Sequence, residues 1–285
     1  MDKAYLYLGC KVPTSQYAFE LSVRTILKEL NLPIEIQEEF NCCGFPFIAL
    51  DKTAWLYLAA RNMAIAEKEK RNLLPICNGC FLSFNEARAE LLVDSKVRKK
   101  INKQLAKEGL TFKGKLRIVH LVDVFYEARE EIKAKVTKDF SKKKIAVHLG
   151  CHGEEERSEE PIDGIPRLEK MMAIMRDIGL ETEAYPTHHE CCGAGGIISE
   201  HDMPFRMTGN KLTELMEMGY EGLATICPFC QSQYETKQAV ISQIIKKEVK
   251  LPVYYLTQLM GMAWGLDEEA LGLHLNSSHT QKMNK

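Results

Sequence analysis

Ala4-Tyr5-Leu6-Tyr7-Leu8-Gly9-Cys10 is a short apolar run ending in Gly-Cys, and it returns as Ile145-Ala146-Val147-His148-Leu149-Gly150-Cys151. A buried strand whose C-terminal end delivers a cysteine reads this way. Outward from these runs, the ten cysteines divide into two matching sets with none left over. The first is Cys10, Cys42-Cys43 and Cys77/Cys80; the second is Cys151, Cys191-Cys192 and Cys227/Cys230. Each set reads Cys, Cys-Cys-Gly, Cys-x-x-Cys, with gaps of 31 and 33 residues in the first set and 39 and 34 in the second. The chain is a tandem repeat around two thiolate-rich metal sites, so redox or sulfur chemistry is expected.

The repeat extends beyond cysteine. Residues 15–30 read as an amphipathic helix, with 166–178 as its counterpart. The second copy carries a polar insertion at 154–164, which lengthens its first gap. Short strands are expected at 34–37 and 181–185, helices at 52–70 and 204–218, and third strands at 73–76 and 222–226 running into each Cys-x-x-Cys. Residues 119–125 align loosely with 254–260. Strands alternating with helices predict two tandem, pseudo-twofold α/β domains with small parallel sheets, the cysteines lying at strand C-terminal ends. The expected boundaries are 1–138 and 139–270, with 271–285 a flexible tail. The charged stretch 127–144 is the expected linker. Residues 95–107 form a basic helix whose charge is that of a solvated face, with a docking patch as the alternative.

The 285 residues suit two domains, and 45% hydrophobic content fills two cores without disulfide staples. A net charge of −1 argues against nucleic-acid and anionic-membrane partners. No apolar run approaches the ~18 residues of a membrane span. Asp2 and Lys3 precede too few apolar residues for a secretion signal. Leu8-Gly9-Cys10 resembles a lipoprotein cleavage site but recurs in mid-chain. A cytoplasmic protein is expected, where clustered cysteines are metal ligands or reactive thiols and not disulfides.

Structural zinc takes four ligands, as do ordinary iron–sulfur clusters. Five thiolates per set leave two readings: an unusual cluster with a bridging cysteine, or a four-cysteine cluster beside a free thiol. Soft thiolates in this number favour iron–sulfur chemistry. Neighbours such as Cys42 and Cys43 close only a strained disulfide, while Cys77/Cys80 or Cys227/Cys230 could act as a dithiol. Gly44, Gly79, Gly150, Gly193, Gly195 and Gly196 let backbone approach a bulky inorganic core and donate N–H groups to it. His152, His188 and His189 lie beside cysteines; Lys11, Glu39 and Phe40 hold the matching positions in the first half. Lys11, His152 and His189 are the candidates for holding an anionic substrate group or moving a proton. His120, His274 and His279 carry no signal. No Gly-x-Gly-x-x-Gly follows a strand and no phosphate loop is present, so neither flavin nor nicotinamide is expected in this chain.

The segments Leu8-Gly9-Cys10, Cys42-Cys43-Gly44, Cys77-Asn78-Gly79-Cys80, Leu149-Gly150-Cys151-His152, His189-Glu190-Cys191-Cys192-Gly193-Ala194-Gly195-Gly196 and Cys227-Pro228-Phe229-Cys230 resemble the CCG-domain family. Within that family the likeness is to the B subunit of heterodisulfide reductase and its relatives, over about residues 3–260. Ala59-Ala60-Arg61-Asn62 is also similar to that subunit. The resemblance implies two noncubane [4Fe-4S] clusters. One would be held by Cys10, Cys42, Cys43, Cys77 and Cys80, the other by Cys151, Cys191, Cys192, Cys227 and Cys230. It implies a small-molecule disulfide opened between the clusters, coenzyme M–coenzyme B in methanogenesis. The partners it implies are the ferredoxin-like C subunit, which delivers electrons, and the flavin-containing A subunit. Gly44-Phe45-Pro46-Phe47 departs from the Cys-Cys-Pro common in methanogen members, so the substrate is open. The alternatives are an electron-transfer subunit of a lactate-, glycolate- or quinone-linked CCG oxidoreductase, and a zinc-stabilised scaffold. Because each half supplies five thiols, each site is expected to survive loss of the other.

Overall fold

The computed structural model describes residues 2–154, 163–196 and 202–277. The first half runs β1 (Ala4–Tyr7), α1 (Val12–Ser15), α2 (Tyr17–Glu29), β2 (Ile34–Ile36), α3 (Lys52–Lys68), β3 (Asn72–Pro75), α4 (Asn78–Val93), α5 (Ser95–Leu105), α6 (Leu121–Glu127) and α7 (Arg129–Ala134). The second runs β4 (Ile145–His148), α8 (Arg167–Asp177), α9 (Met203–Glu217), β5 (Gly222–Thr225), α10 (Pro228–Thr236), α11 (Gln238–Ile245), β6 (Val253–Tyr255) and α12 (Leu256–Trp264). Parallel strands alternate with helices in both, the expected α/β class. Among the described residues no helix is long and apolar enough to cross a membrane.

The sheets are ordered β2-β1-β3 and β4-β5-β6, all parallel. Isolated bridges restore their equivalence: Ile118 pairs beside β3, and Glu181 pairs beside β4. Each half thus has four strand positions in one order, with a different outer position worn down to a single bridge. This corrects the strand expected at 181–185. Only Glu181 pairs; beyond it Glu183 and Ala184 are exposed, and the Tyr185 hydroxyl donates to Val147 O at 3.0 Å. An edge segment with one face in water gains little from extending its ladder.

Alternation along the strands divides the interior in two. Ala4, Leu6, Ile145 and Val147 face one core; Tyr5, Tyr7 and Ala146 face another, which also contains the buried cysteines. Both cores mix residues from both halves. A late helix of each half packs on an early helix of the other, α6 on α8 and α12 on α2. The first seam is ionic: Asp123 meets Arg167 at 2.8 Å and Lys170 at 2.7 Å. The second is neutral: Ser22 meets Thr257 at 2.7 Å, and the Tyr255 hydroxyl donates to Gln16 Oε1 at 2.6 Å.

The stretch 127–144 connects the halves but is itself folded. It contains α7, Ile132 is buried, the Trp264 indole N–H donates to Ile132 O at 3.0 Å, and the amides of Thr137 and Lys138 bond to Ala263 O. Residues 271–277, expected in the tail, are also packed. Leu271 and Leu273 are buried, and Asn276 exchanges hydrogen bonds with Gln258. The rest of that tail, 278–285, and residues 155–162 of the insertion lie outside the described residues. The basic helix α5 is capped by Asp94 and buries Ile101 and Leu105, leaving its lysines on the outer face.

Candidate metal centre

All ten cysteines are free of disulfides and converge. Their thiols follow one another as neighbours along one line: Cys10, Cys42, Cys43, Cys80, Cys77, then across to Cys227, Cys230, Cys192, Cys191 and Cys151. The line is pseudo-symmetric about the Cys77–Cys227 contact. Six cysteines are buried; the outer members Cys10, Cys42, Cys151 and Cys191 reach solvent. Cys151 and Cys191 are 3.7 Å apart. A cavity of 480 Å³ opens beside Cys10 and Cys42, lined by Tyr7, Pro13, Gln37 and Phe40.

Local chemistry brings these thiols together. Gly9 and Gly150 follow the strands with φ of +70° and +93°. A Cβ at Gly9 would stand 3.0 Å from Cys80 Sγ, and one at Gly150 3.2 Å from Cys230 Sγ. Glycine is therefore needed both for the left-handed turn and for the approach of Cys-x-x-Cys to the strand end. Cys77 and Cys227 occupy the N-cap positions of α4 and α10, so the central sulfurs stand at two helix N-termini. Partial positive charge and unbonded amides at such ends favour thiolates. The Asn78 backbone N–H at the start of α4 faces the Cys227 sulfur of the other half and favours its thiolate.

The adjacent pairs behave alike. Cys42 accepts from Cys10, Cys43 and the Gly44 amide, which pull it down to about 2. Cys191 accepts from Cys151, Cys192 and the Gly193 amide, likewise down to about 2. Cys43 and Cys192, donors to those sulfurs, are pushed up to about 11 and about 12. The Gly44, Gly193 and Ala194 amides lie 3.4, 3.4 and 3.5 Å from cysteine sulfurs. Soft thiols, helix N-termini and N–H···S donors together fit a thiolate-held metal–sulfur group.

Lys11 and His152, matching positions after the first cysteine of each set, each rest on an aromatic ring of the opposite half. Lys11 Nζ lies 5.8 Å from the Phe229 ring centroid, and the His152 and Phe45 rings are 5.3 Å apart. His188 bonds to Tyr185 O, and exposed His189 pairs with Glu154 at 3.0 Å. Among the described residues neither bonds to a cysteine. A Cβ at Gly195 would meet no protein atom within 4 Å, while one at Gly44 or Gly193 would meet Trp55 or Pro204.

Several site residues carried no sequence signal. His120 is buried and accepts the Val122 amide at Nδ1, so Nε2 donates to Asn78 Oδ1 at 3.0 Å. The Asn78 amide passes the connection on to Leu149 O at 2.6 Å, tying the first Cys-x-x-Cys to the strand end before Cys151. His148, Lys211 and Tyr234 lie buried beneath the second set. His148 groups with the Cys192 and Cys230 sulfurs, the three ligand atoms within 4.8 Å of one another. Burial draws Lys211 down to about 8 against the opposing pull of the Cys230 sulfur, Glu190 and the neighbouring sulfurs. The aligned strand runs place His148 opposite Tyr7, the one mark the sequence gives of it.

The B subunit of the Methanosarcina mazei ferredoxin:CoB-CoM heterodisulfide reductase is 29% identical over 97% of this chain and 94% of its own length. The 8-methylmenaquinol:fumarate reductase membrane anchor subunit of Wolinella succinogenes is 28% identical over 99% of this chain and 100% of its own length. A solved structure of a hypothetical protein from Helicobacter pylori matches with a TM-score of 0.78 at 14% identity, over 99% of this chain and 53% of that one, and shares the fold. The family model for the cysteine-rich domain CCG matches residues 4–85 and 145–235, the two segments that carry the sulfur line, and the chain belongs to that family.

Proposed function

We propose that this protein is the iron–sulfur catalytic subunit of a heterodisulfide-reductase-type complex, reducing or forming a small-molecule disulfide at two noncubane [4Fe-4S] clusters. The observation that carries the reading is the ten-thiol line with its two-fold repeat and solvent-reaching ends. Cys10, Cys42, Cys43, Cys77 and Cys80 would hold one cluster, and Cys151, Cys191, Cys192, Cys227 and Cys230 the other. When bound, two such clusters supply the two electrons that cleavage of an S–S bond requires. Supporting it, the methanogen relative is itself named as the B subunit of a heterodisulfide reductase.

The chain's own contribution is binding and orientation. Lys11 carries a positive charge beside Cys10, braced on Phe229, and suits the anionic group of a disulfide. His152, braced on Phe45 beside Cys151, is placed to hand a proton to a departing thiolate. No dinucleotide fingerprint is present, so electrons would arrive from ferredoxin-like and flavin-bearing partners in the cytoplasm. The quinol-linked relative favours a second reading, an electron-transfer subunit that touches no disulfide.

Iron, acid-labile sulfide and zinc per chain, measured on protein purified without oxygen, test the reading. About eight iron and eight sulfide are expected for two four-iron clusters, together with thiol release from a disulfide under a low-potential reductant. About four iron with one zinc would overturn the two-cluster site, the Cys192/Cys230/His148 group being the candidate zinc position. Full clusters with no thiol released from any disulfide would favour the electron-transfer reading.

A further inference from the structure

The halves repeat one another in fold but not beneath their sulfurs. The strand repeat pairs Tyr7 with His148. The matching Gly44–Trp55 and Gly193–Pro204 contacts pair Asn62 of α3 with Lys211 of α9. The Cys-x-x-Cys helices pair Phe84 with Tyr234. Under the first set the Tyr7 hydroxyl donates to Asn41 O at 2.6 Å, and the Asn62 amide to Asn41 O and Cys42 O at 3.2 Å each. Phe84 offers only its ring, 4.8 Å from Tyr7. These three buried residues are neutral, the first set's cation being Lys11 at its solvent-reaching end, and the Tyr7 hydroxyl and Asn62 amide are satisfied.

Under the second set Lys211 Nζ donates to Glu190 O at 2.7 Å and lies 3.4 Å from His148 Nδ1. His148 and Lys211 are each 1% exposed, and Tyr234 is fully buried with its ring 5.0 Å from His148. An ammonium facing Nδ1 leaves the imidazole hydrogen on Nε2. That Nε2 has no hydrogen-bond partner, nor has the Tyr234 hydroxyl. His148 lies with the Cys192 and Cys230 sulfurs. Among the described residues no carboxylate forms an ion pair with Lys211. A buried ammonium and two buried unpaired donors cost free energy unless an anionic acceptor sits among them. Positive charge and N–H···S donors stabilise the more negative, reduced form of a thiolate-held group.

We propose that His148, Lys211 and Tyr234 are positioning residues that make the second cysteine set the electron-accepting side, with a higher reduction potential than the first. The inference rests on the reading that each set holds an iron–sulfur cluster. The test is an EPR-monitored redox titration of the full chain prepared without oxygen, the second site being the signal lost in Cys192→Ala. Two separate potentials are expected, the second higher. Lys211→Gln should lower the reduction equilibrium constant of that site at least tenfold, ~59 mV for a one-electron step, leaving the other unmoved. Tyr234→Phe keeps the ring packing and should shift the same signal in the same direction by less; it decides the matter if Lys211→Gln fails to fold. Equal potentials in the parent protein, or fully loaded variants with unmoved potentials, would overturn the inference alone. A parent protein without iron would overturn it together with the function proposed above.

Discussion

A single backbone angle shows how closely the strand ends are built around sulfur. Gly150 has φ +93°, and a Cβ there would meet Asn78 Nδ2 at 2.9 Å. Gly150→Ala should cost about 1–3 kcal/mol, from left-handed strain and the displaced amide. The urea midpoint reads this, with Gly195→Ala, which has open space, as a near-neutral control. His120 sets an acid limit. Burial and then the Arg167 charge lower it from 6.5 to about 3. The unfolded chain therefore takes up a proton that the folded chain refuses. Between pH 6.5 and about 3, stability falls with falling pH, by up to about 1.4 kcal/mol per unit from this group. In a pH series of denaturation curves, His120→Gln should flatten that slope by about one proton.

At the level of elements, the two Cys-x-x-Cys helices meet N-terminus to N-terminus, with Cys77 beside Cys227 and the Asn78 backbone N–H facing the Cys227 sulfur. Each element nevertheless carries the cysteines of its own half. Cys192→Ala should remove one cluster's spectrum and leave the other, since the first set keeps all five thiols. Loss of both signals in a protein with native circular dichroism would make the two sites interdependent. The central contact is where such dependence would arise, because it is the one sulfur–sulfur contact that crosses between the sets.

The whole molecule is more interlocked than two beads in series. Each half lends a late helix to an early helix of the other, α6 to α8 and α12 to α2, and both cores draw on both halves. Trp264 of α12 is 6% exposed and bonds to Ile132 of the first half at 3.0 Å. Trp264→Ala should cost about 3–5 kcal/mol, through the lost aromatic packing and one lost hydrogen bond to Ile132 O, which keeps the Lys135 amide. Calorimetry should show one transition in both parent and variant, displaced to lower temperature in the variant. Two separated transitions would mean that the shared cores do not couple the halves.

Cysteine spacing and the repeated Gly-Cys strand ends were enough to read the α/β class, the sulfur sets and their placement at strand ends, because ligand identity and strand periodicity are local properties of the chain. The helix at 17–29 was legible from its apolar stripe, which repeats every 3.6 residues, and those at 167–177, 52–68 and 203–217 from their places in the repeat. What the sequence left open depends on residues far apart along it. The single-bridge edge at Glu181, the folded connection around Ile132, and the packing of α6 on α8 and of α12 on α2 follow from which faces find partners in three dimensions. Asn78, His120, His148, Lys211 and Tyr234 are ordinary by type and spacing. Their roles exist only because the tertiary structure buries them against sulfurs and carbonyls from distant segments, where a missing partner or an extra charge has a large energetic effect.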